Sequence, residues 1–324
     1  MAGQPASNPP TPSHPSVGVI IPTLGRPSLL AAVASALSQS YAPDQVVVVV
    51  DGPLELLAGY EFPADPRLQL LTNRPQRGAA AARNVGAAAL TTDLVALLDD
   101  DDTWMVKKLE HQVAAFLEMR DRGTKHPVIA CRSVKVQEGS GRSVVAPQKL
   151  IRPGQRPGDY LFRRRQVRPY GATLGHSMLL FERHLTALEP FNVSSVRHDD
   201  WDLALRLGAI PGVAFLHVDE VLLRYAVHPG SSSSQAGWAI SMNWALDRGR
   251  YLTRREQADF LICISGPIAL NHGDWRGLAA VLRHALSLGG GSPQAWGFLG
   301  ALVARRALPP PWLRPRTTGG TGYR

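Results

Sequence analysis

The fold follows from the stretch Leu94-Val95-Ala96-Leu97-Leu98-Asp99-Asp100-Asp101-Asp102, in which an apolar run is followed at once by four acids. The apolar run predicts a buried strand. Ligands of open α/β sheets bind at the carboxyl ends of strands, where these aspartates are expected. Because adjacent carboxylates repel one another, the cluster favours a bound Mg²⁺ or Mn²⁺, which prefers oxygen ligands. The alternative is capping of the next helix, predicted from Thr103 to about Met119, but capping needs one or two acids.

Around this stretch, predicted strands alternate with predicted helices. The expected elements are strands at 17–21, 45–50, 68–71 and 94–98, with helices at 27–40 and 79–90. Alternation of this kind favours a parallel sheet with right-handed crossovers. Further along we expect strands at 128–137 and 177–181 and two short strands within 213–225, helices at 183–188 and 201–207, and a flap at 139–171 that is rich in Pro, Gly and Arg. The predicted fold class is therefore α/β.

The length of 324 residues suits one α/β domain with an extension. The boundaries we predict are a disordered tail at 1–16, an α/β domain at 17–235, a C-terminal helical extension at 236–308 and a flexible tail at 309–324. The net charge of +9 indicates anionic partners such as sugar nucleotides, nucleic acid or an acidic membrane surface.

Targeting signals and cysteines bear on the compartment. No stretch approaches the ~20 apolar residues of a membrane span, and the first residues lack the basic start and apolar core of a signal peptide. The chain has two cysteines, Cys131 and Cys263, too few to indicate a disulfide framework. We therefore expect a cytoplasmic protein without a transmembrane segment; peripheral contact with a membrane stays open.

Four segments resemble the motifs of family 2 glycosyltransferases, and they occur in the expected order within about residues 17–231. They are Val19–Pro27 (VIIPTLGRP), Gly78–Gly86 (GAAAARNVG), Leu98–Trp104 (LDDDDTW) and His198–Arg206 (HDDWDLALR). The resemblance implies a GT-A fold, an α/β/α sandwich that binds a nucleotide, together with a divalent metal and inversion at the anomeric carbon of the sugar. Two departures are the single acid Asp51 after the second strand, where the family often has two, and Asp199, where the family usually has Glu.

The residues expected to contact the nucleotide of the donor follow from these motifs. The first strand ends at Pro22 and Thr23, which leaves backbone groups free to bind a nucleobase edge, and Arg26 belongs to the same motif. Asp51 is expected to accept hydrogen bonds from base or ribose, although it also suits a turn. The resemblance places Arg83 toward the nucleotide, where it can pair with a phosphate. An exposed helix arginine is the alternative.

Within the four acids, similarity makes Asp99 and Asp101 the metal motif, with Asp101 as the direct ligand. Asp100 is expected to reach the ribose hydroxyls, and Asp102 to cap the following helix; the sequence does not fix this division, so Asp99 and Asp100 are counted with the nucleotide-binding set. Arg224–Ser232 resembles the family's RxHpgS loop, in which His228 is either a second metal ligand or a structural residue.

Asp200 is the candidate general base. A carboxylate that takes the proton of an acceptor hydroxyl typically contributes ~10²–10⁴-fold to the rate. Repulsion from Asp199 and Asp202 is expected to raise the proton affinity of Asp200. The alternative is that Asp199 or Asp200 caps the helix at 201–207, and both roles can coexist.

The predicted function is a metal-dependent inverting transfer of sugar from a nucleotide sugar, with UDP the commonest carrier, to an acceptor hydroxyl of a small molecule, saccharide or lipid-linked saccharide. A sugar-phosphate nucleotidyltransferase needs a Gly-rich loop after the first strand, and residues 24–27 are too few for one. A nucleic-acid-binding protein needs clustered basic and aromatic residues, whereas here Lys and Arg are scattered, so no nucleic-acid partner is expected. The C-terminal tryptophans suit a helix core, an acceptor cleft or a homodimer face.

Overall fold

The computed structural model describes residues 14–137, 143–168, 171–227 and 237–307. Within them the strands are β1 Val17–Thr23, β2 Gln45–Val50, β3 Leu68–Thr72, β4 Leu94–Leu97, β5 Thr103–Trp104, β6 His126–Gln137, β7 Ser143–Ala146, β8 Leu180–Glu182 and β9 Val213–Val227. The helices are α1 Leu29–Leu37, α2 Ala79–Ala89, α3 Lys108–Asp121, α4 Pro157–Phe162, α5 Leu185–Leu188, α6 Asp199–Leu207, α7 Trp238–Leu246, α8 Arg254–Phe260, α9 Gly266–Asn271, α10 Trp275–Ser287 and α11 Pro293–Ala307, with a π-helical segment Leu261–Ser265 between α8 and α9.

All the described strands belong to one mixed sheet, in the order β3-β2-β1-β4-β8-β6-β9-β5, with β7 paired to β6. The first four strands are parallel, as the sequence predicts. Beyond β4, where the sequence pattern changes and predicts no strand direction, β8 runs antiparallel to both β4 and β6, and β5 runs antiparallel to β9. This half of the sheet therefore brings the late segments of the chain back beside β4.

Strands β1, β2 and β4 lie at the centre of the hydrophobic core, which extends to β6, β8 and the C-terminal helices. Every residue of β1 is buried, and so are all five valines of β2, because helices cover both faces of a parallel sheet. Helix α2 packs closely on β1 through Gly86, where a Cβ would lie 2.6 Å from Cγ2 of Ile20. That close approach sets how α2, which carries Arg83, lies against the strands that hold the acids.

Five predicted elements differ from the structure. The strand predicted at 177–181 is shorter, because His176–Met178 form a 3-10 helical turn and β8 begins only at Leu180. Thr103 and Trp104 form β5 rather than the start of a helix, because they pair with Arg224 and Leu223 of β9. Helix α3 therefore begins only at Lys108. The predicted flap contains β7 and α4 within its described part, 143–168. The two short strands predicted in 213–225 are one long strand, β9, and the helix predicted from residue 201 already begins at Asp199.

The predicted tails lie mostly outside the described residues. Of the tail at 1–16, residues 14–16 are described and contact the sheet: the Ser16 hydroxyl donates to Oδ2 of Asp93 at 2.7 Å, and the Tyr41 hydroxyl donates to the Pro15 carbonyl at 2.6 Å. The tail predicted at 309–324 falls entirely outside them. The division into 17–235 and 236–308 stays a prediction.

Helices α7 and α8 pack beside α6 through aromatic side chains. Trp201 of α6 lies against Phe162, Trp244 and Phe260, with ring centroids 5.3 to 6.4 Å apart. Trp244 is buried in this cluster, whereas Trp275 is exposed. Among the residues the structure describes, no helix is both long and apolar enough to cross a bilayer.

We predict that Gly86→Ala destabilises the protein, because the added methyl group collides with Ile20 and pushes α2 away from β1. The expected loss in the free energy of unfolding is about 1 to 3 kcal/mol. Gly300→Ala in α11 is the matched control, since nothing lies within 4 Å of its Cβ position, and it should gain up to about 1 kcal/mol. Urea unfolding of both variants measures the difference; equal effects at the two glycines contradict the packing argument.

Candidate active site

The acids of two motifs meet at the carboxyl edge of the parallel strands. Asp99 to Asp102 follow β4, and α6 begins with Asp199 and Asp200. The chain leaves the first cluster through β5, whose pairing with β9 brings Tyr225 close to the same carboxylates. The site is thus built by strand pairing as well as by the strand ends.

Asp100 is fixed by the first motif. Its Oδ2 accepts a hydrogen bond of 2.6 Å from the Thr23 hydroxyl, and its Oδ1 lies 3.0 Å from Nη1 of Arg26. The same guanidinium nitrogen lies 2.7 Å from Oδ2 of Asp101. Pro22 is buried in β1 opposite Val49. In the structure, Thr23 and Arg26 therefore orient the acids, and their contact with a nucleotide stays a prediction.

Arg83 links the two acidic motifs. Its Nη2 lies 2.6 Å from Oδ1 of Asp99, and its Nη1 lies 3.0 Å from Oδ2 of Asp199. The side chain is only 5% exposed, and its guanidinium carbon lies 6.0 Å from the centroid of the Phe191 ring. The predicted contact between Arg83 and a phosphate stays a prediction, since both terminal nitrogens are engaged by carboxylates. Asn84, next in sequence, exchanges two hydrogen bonds of 2.9 Å with the Phe191 backbone and fastens α2 there.

The three acids in the first turn of α6 have different surroundings. Asp202 is fully buried between Arg206 and Arg248, at 2.8 and 2.6 Å. Asp199 pairs with Arg83. Asp200 has no ion-pair partner in the described ranges, and its Oδ1 accepts a hydrogen bond of 2.8 Å from its neighbour's amide, that of Trp201. The capping alternative is not what the structure shows, because His198 is the N-cap residue and its side chain makes no capping bond.

These surroundings separate the proton affinities of adjacent acids. Burial, followed by the charge of Asp199, raises the pKa of Asp200 to about 7. The sequence analysis predicts that the pKa of Asp200 is raised, but only from repulsion by neighbouring acids. In the structure, burial is the larger cause of the raised pKa. Burial also acts to raise the pKa of Asp199, yet its cationic neighbours hold that pKa below the ordinary value. At neutral pH that cation is Arg83, because burial lowers the pKa of His176 to about 4.

His198 holds α6 against the C-terminal helices. Its backbone lies in the left-handed region at φ 60°, an uncommon conformation for a side chain of this size. The ring stacks on Trp201 with centroids 4.6 Å apart, and Nε2 lies 2.9 Å from the Ser241 hydroxyl of α7. This residue therefore sets the direction in which the first turn of α6, with Asp200, enters the site.

Asp51 anchors the loop that leads into α2. Its Oδ1 accepts hydrogen bonds from the Asn73 amide at 2.7 Å and from the Arg77 backbone at 3.0 Å, and its Oδ2 accepts one from the Gly78 backbone at 2.8 Å. The side chain is almost wholly buried. These contacts agree with the alternative that Asp51 stabilises a turn. A contact between Asp51 and a base or ribose stays a prediction.

Sequence reasoning missed three residues of the site. The Ser177 hydroxyl accepts a hydrogen bond of 3.0 Å from the Asp99 amide, and Nδ1 of His176 lies 3.8 Å from Oδ2 of Asp199. Burial, followed by the four nearby carboxylates of Asp102, Asp99, Asp101 and Asp200, raises the pKa of Tyr225 to about 12. No local motif marks His176 or Ser177, because β8 reaches the site through antiparallel pairing with β4. Tyr225 lies in the predicted loop motif, which assigned it no role.

The aspartates following β4 suit a hard divalent cation. Burial and then repulsion from Asp99 raise the pKa of Asp101, so an added cation would relieve a real electrostatic cost. Oxygen ligands are what Mg²⁺ and Mn²⁺ take, usually one or two carboxylates together with substrate phosphates. No three of these aspartates bring ligand oxygens within 4.8 Å of one another in the part of the chain that the structure describes. The other predicted ligand, His228, lies outside the described residues.

The fold and the clustered acids define the class of protein: a GT-A type α/β enzyme with its acids at the carboxyl edge of the parallel strands. The family model described as glycosyl transferase family 2 matches residues 18–181, half of the chain. The chain therefore belongs to the family 2 glycosyltransferases, as its motifs predict. This excludes both alternatives, the nucleotidyltransferase and the nucleic-acid-binding protein.

Relatives agree with this assignment. The chain is 26% identical over 249 residues to the amylovoran biosynthesis glycosyltransferase AmsB of Erwinia amylovora, covering 74% of this chain and 80% of AmsB. It is 25% identical over 233 residues to the UDP-Glc:alpha-D-GlcNAc-diphosphoundecaprenol beta-1,3-glucosyltransferase WfgD of Escherichia coli, covering 70% and 83%.

Solved structures show the same fold. The crystal structure of S. aureus TarS 1-349 in complex with UDP-GlcNAc has a TM-score of 0.59 at 15% identity, covering 90% of this chain and 91% of that one. Against the longer TarS chain, the present chain spans 53% of its length, with a TM-score of 0.56.

We predict that Arg83→Gln destabilises the protein in metal-free buffer, because it leaves Asp99 and Asp199 without their shared cation. The expected loss in the free energy of unfolding is about 2 to 4 kcal/mol. The stability of Arg83→Lys should lie between those of the wild type and Arg83→Gln, since one ammonium group does not reach both acids as a guanidinium does. The control is Arg74→Gln, which removes an exposed pair with Glu55 and should change the stability by less than about 1 kcal/mol. Equal losses at the two arginines contradict the bridging role.

Proposed function

We propose that this glycosyltransferase transfers a sugar from a nucleoside diphosphate sugar, UDP being the expected carrier, to an acceptor hydroxyl with inversion at the anomeric carbon. Asp200 is the proposed general base. The observation that carries the proposal is the pair Asp199 and Asp200, in which one carboxylate is tied to Arg83 and the other is left with a pKa of about 7. A general base works best with a pKa close to the operating pH.

The relatives support the choice of donor. The name of WfgD gives UDP-Glc as its donor, and TarS has been crystallised with UDP-GlcNAc. The acceptor in the name of WfgD is a saccharide on diphosphoundecaprenol. A lipid-linked saccharide is thus one acceptor class to assay beside soluble saccharides and small molecules.

The transfer needs one bond made and one broken. The oxygen of the acceptor hydroxyl attacks the anomeric carbon from the face opposite the diphosphate, the C–O bond forms, and the bond to the diphosphate oxygen breaks with its electron pair. Asp200 takes the hydroxyl proton and is neutral at the end of the step. Asp199 stays ionised beside Arg83 at this stage, so the proton goes to the carboxylate with the higher pKa.

Asp101 and Asp99 are the proposed ligands of a divalent cation, Mn²⁺ or Mg²⁺. Such an ion supplies positive charge to the departing diphosphate. The protein holds these carboxylates in place. The Ser177 hydroxyl accepts a hydrogen bond from the backbone amide of Asp99, and the Arg26 guanidinium donates one to the carboxylate of Asp101. Burial and the nearby carboxylates raise the pKa of Tyr225 to about 12, so its hydroxyl keeps the proton even in alkaline solution and can donate a hydrogen bond near these acids.

We predict that Asp200→Asn lowers kcat by at least ~10²-fold while leaving donor binding within about twofold, since the amide cannot accept the proton. In the wild type, kcat/KM should fall as the pH drops through about 7, because protonated Asp200 is no longer a base. Initial rates over a pH series with a sugar-nucleotide panel measure both effects. Asp121→Asn, an exposed acid at the end of α3, is the control and should keep the wild-type profile. Wild-type turnover in Asp200→Asn removes Asp200 as the base.

The same variant is predicted to stabilise the fold at high pH. The folded pKa of Asp200, about 7, is above its ordinary value of 3.8, so the folded state binds the proton more tightly. Stability from this group therefore falls as pH rises from about 4 to 7. Asp200→Asn should be more stable than wild type by the order of 1 to 3 kcal/mol at pH 8, with little difference at pH 4. Urea unfolding at both pH values measures this, and a loss of stability at pH 8 contradicts it.

We predict that Asp101→Ala weakens Mn²⁺-dependent binding of UDP by ~10-fold or more, because it removes the proposed direct ligand. Isothermal titration of UDP with and without Mn²⁺ measures the metal-dependent part of the affinity. Asp121→Ala is the control and should bind as wild type does. An unchanged Mn²⁺ dependence in Asp101→Ala contradicts the assignment of Asp101.

A further inference from the structure

A second group of metal-ligating side chains lies at the opposite end of the strands, near the amino-terminal end of β4. Glu182 ends β8 and is paired with Leu94, the first residue of β4, whereas Asp99 follows the far end of β4. At ~3.3 Å per residue, the five positions from Leu94 to Asp99 put this group about 16 Å from the catalytic acids. His126 begins β6, and His184 is the N-cap residue of α5.

The three side chains converge on one point. Nδ1 of His126 lies 2.5 Å from Oε2 of Glu182, and one ligand atom from each of His126, Glu182 and His184 lies within 4.8 Å of the other two. Ligands around a tetrahedral Zn²⁺ stand about 3.3 Å apart, given metal–ligand distances of ~2.0–2.1 Å. The three ligand atoms are therefore close enough for small side-chain rotations to bring them to that spacing.

The backbones that carry these ligands are held in place. The His126 amide donates to the Gly212 carbonyl at 2.9 Å, and His126 is in register with Val213 of β9. Glu182 lies within strand β8, and the His184 carbonyl accepts the Ala187 amide at 3.1 Å. A ligand set on fixed backbones loses little conformational entropy when a metal binds.

The surrounding groups also suit a metal. Nη1 of Arg120 lies 3.2 Å from Oε1 of Glu182, which orients the carboxylate and leaves Oε2 facing the histidines. Metal-binding carboxylates commonly have such an outer hydrogen-bond partner. The side chain of Arg183, also nearby in sequence, donates through Nε to the Thr92 carbonyl at 2.6 Å.

We propose that His126, Glu182 and His184 bind a Zn²⁺ ion, with water as the fourth ligand, at a site that fastens β6, β8 and the start of α5 together. The nitrogen-rich donor set separates this site from the catalytic one, because imidazole suits zinc while carboxylates alone suit Mg²⁺ and Mn²⁺. The proposal is independent of the transfer reaction. It concerns binding and stability, since the group lies at the edge of the sheet away from Asp200.

The test uses the full chain, stripped with a chelator and then dialysed against buffered Zn²⁺. We expect the wild type to bind one Zn²⁺ per chain at this site, and His184→Ala to bind it at least ~10-fold more weakly. His184 is exposed, so its removal should leave the fold intact. Zinc should also raise the Tm of the wild type and not that of His184→Ala, because an ion that binds only the folded state stabilises it.

Two controls identify the site. His111→Ala removes a histidine that also faces a glutamate, Glu220 at 3.0 Å, but belongs to no such cluster, and it should bind zinc as the wild type does. Asp101→Ala should do the same, which separates this site from the catalytic acids. Co²⁺ in place of Zn²⁺ should give a visible absorption band that is lost in His184→Ala. Equal zinc affinity and equal Tm shifts in wild type and His184→Ala overturn the proposal, as does the absence of zinc binding by the wild type.

Discussion

The arrangement of the site depends on one buried guanidinium. Arg83 lies between Asp99 and Asp199, which belong to motifs far apart in the sequence, and it is the contact that brings a strand end and a helix start into one site. A buried arginine is costly to desolvate unless carboxylates surround it, and acids at this density are costly without a cation. Each side therefore stabilises the other. The position of α2 against β1, fixed by Gly86, determines where that charge stands.

Arg83 divides the acids into two kinds. Asp199 and Asp99 have their cation within the protein. Burial raises the pKa of Asp200 above the ordinary value. Burial also raises the pKa of Asp100 and of Asp101, because the half-exposed Arg26 beside them compensates only part of the cost. Groups left in this state are those that gain most from a proton or an external cation. The chemistry we propose uses Asp200 for a proton and Asp101, together with Asp99, for a metal. Of these three acids, Asp200 and Asp101 are not paired with Arg83.

The sequence predicts the parallel half of the fold closely and the rest less well. Buried β-branched runs give β1 and β2 within two residues, because both faces of these strands are covered and the pattern is unambiguous. Thr103 and Trp104 fit a helical spacing but form a strand, since pairing with β9 decides their conformation and is not visible locally. The acids were found because they are contiguous. His176 and Ser177 were not, because antiparallel pairing of β8 with β4 brings them to the site from far along the chain.

The carboxylates with raised pKa values also lower the stability of the folded state when they are ionised, and a bound cation would restore part of that stability. Ionised Asp200 disfavours the folded state above about pH 7, and the crowding of Asp99 and Asp101 acts in the same direction. A site relaxed by its own salt bridges would be more stable but would hold a cation and a donor diphosphate less tightly. Binding of a cation to the folded chain alone adds stability by mass action. In the proposed mechanism, the residual negative charge of these carboxylates provides affinity for the divalent cation, and through that cation for the donor diphosphate.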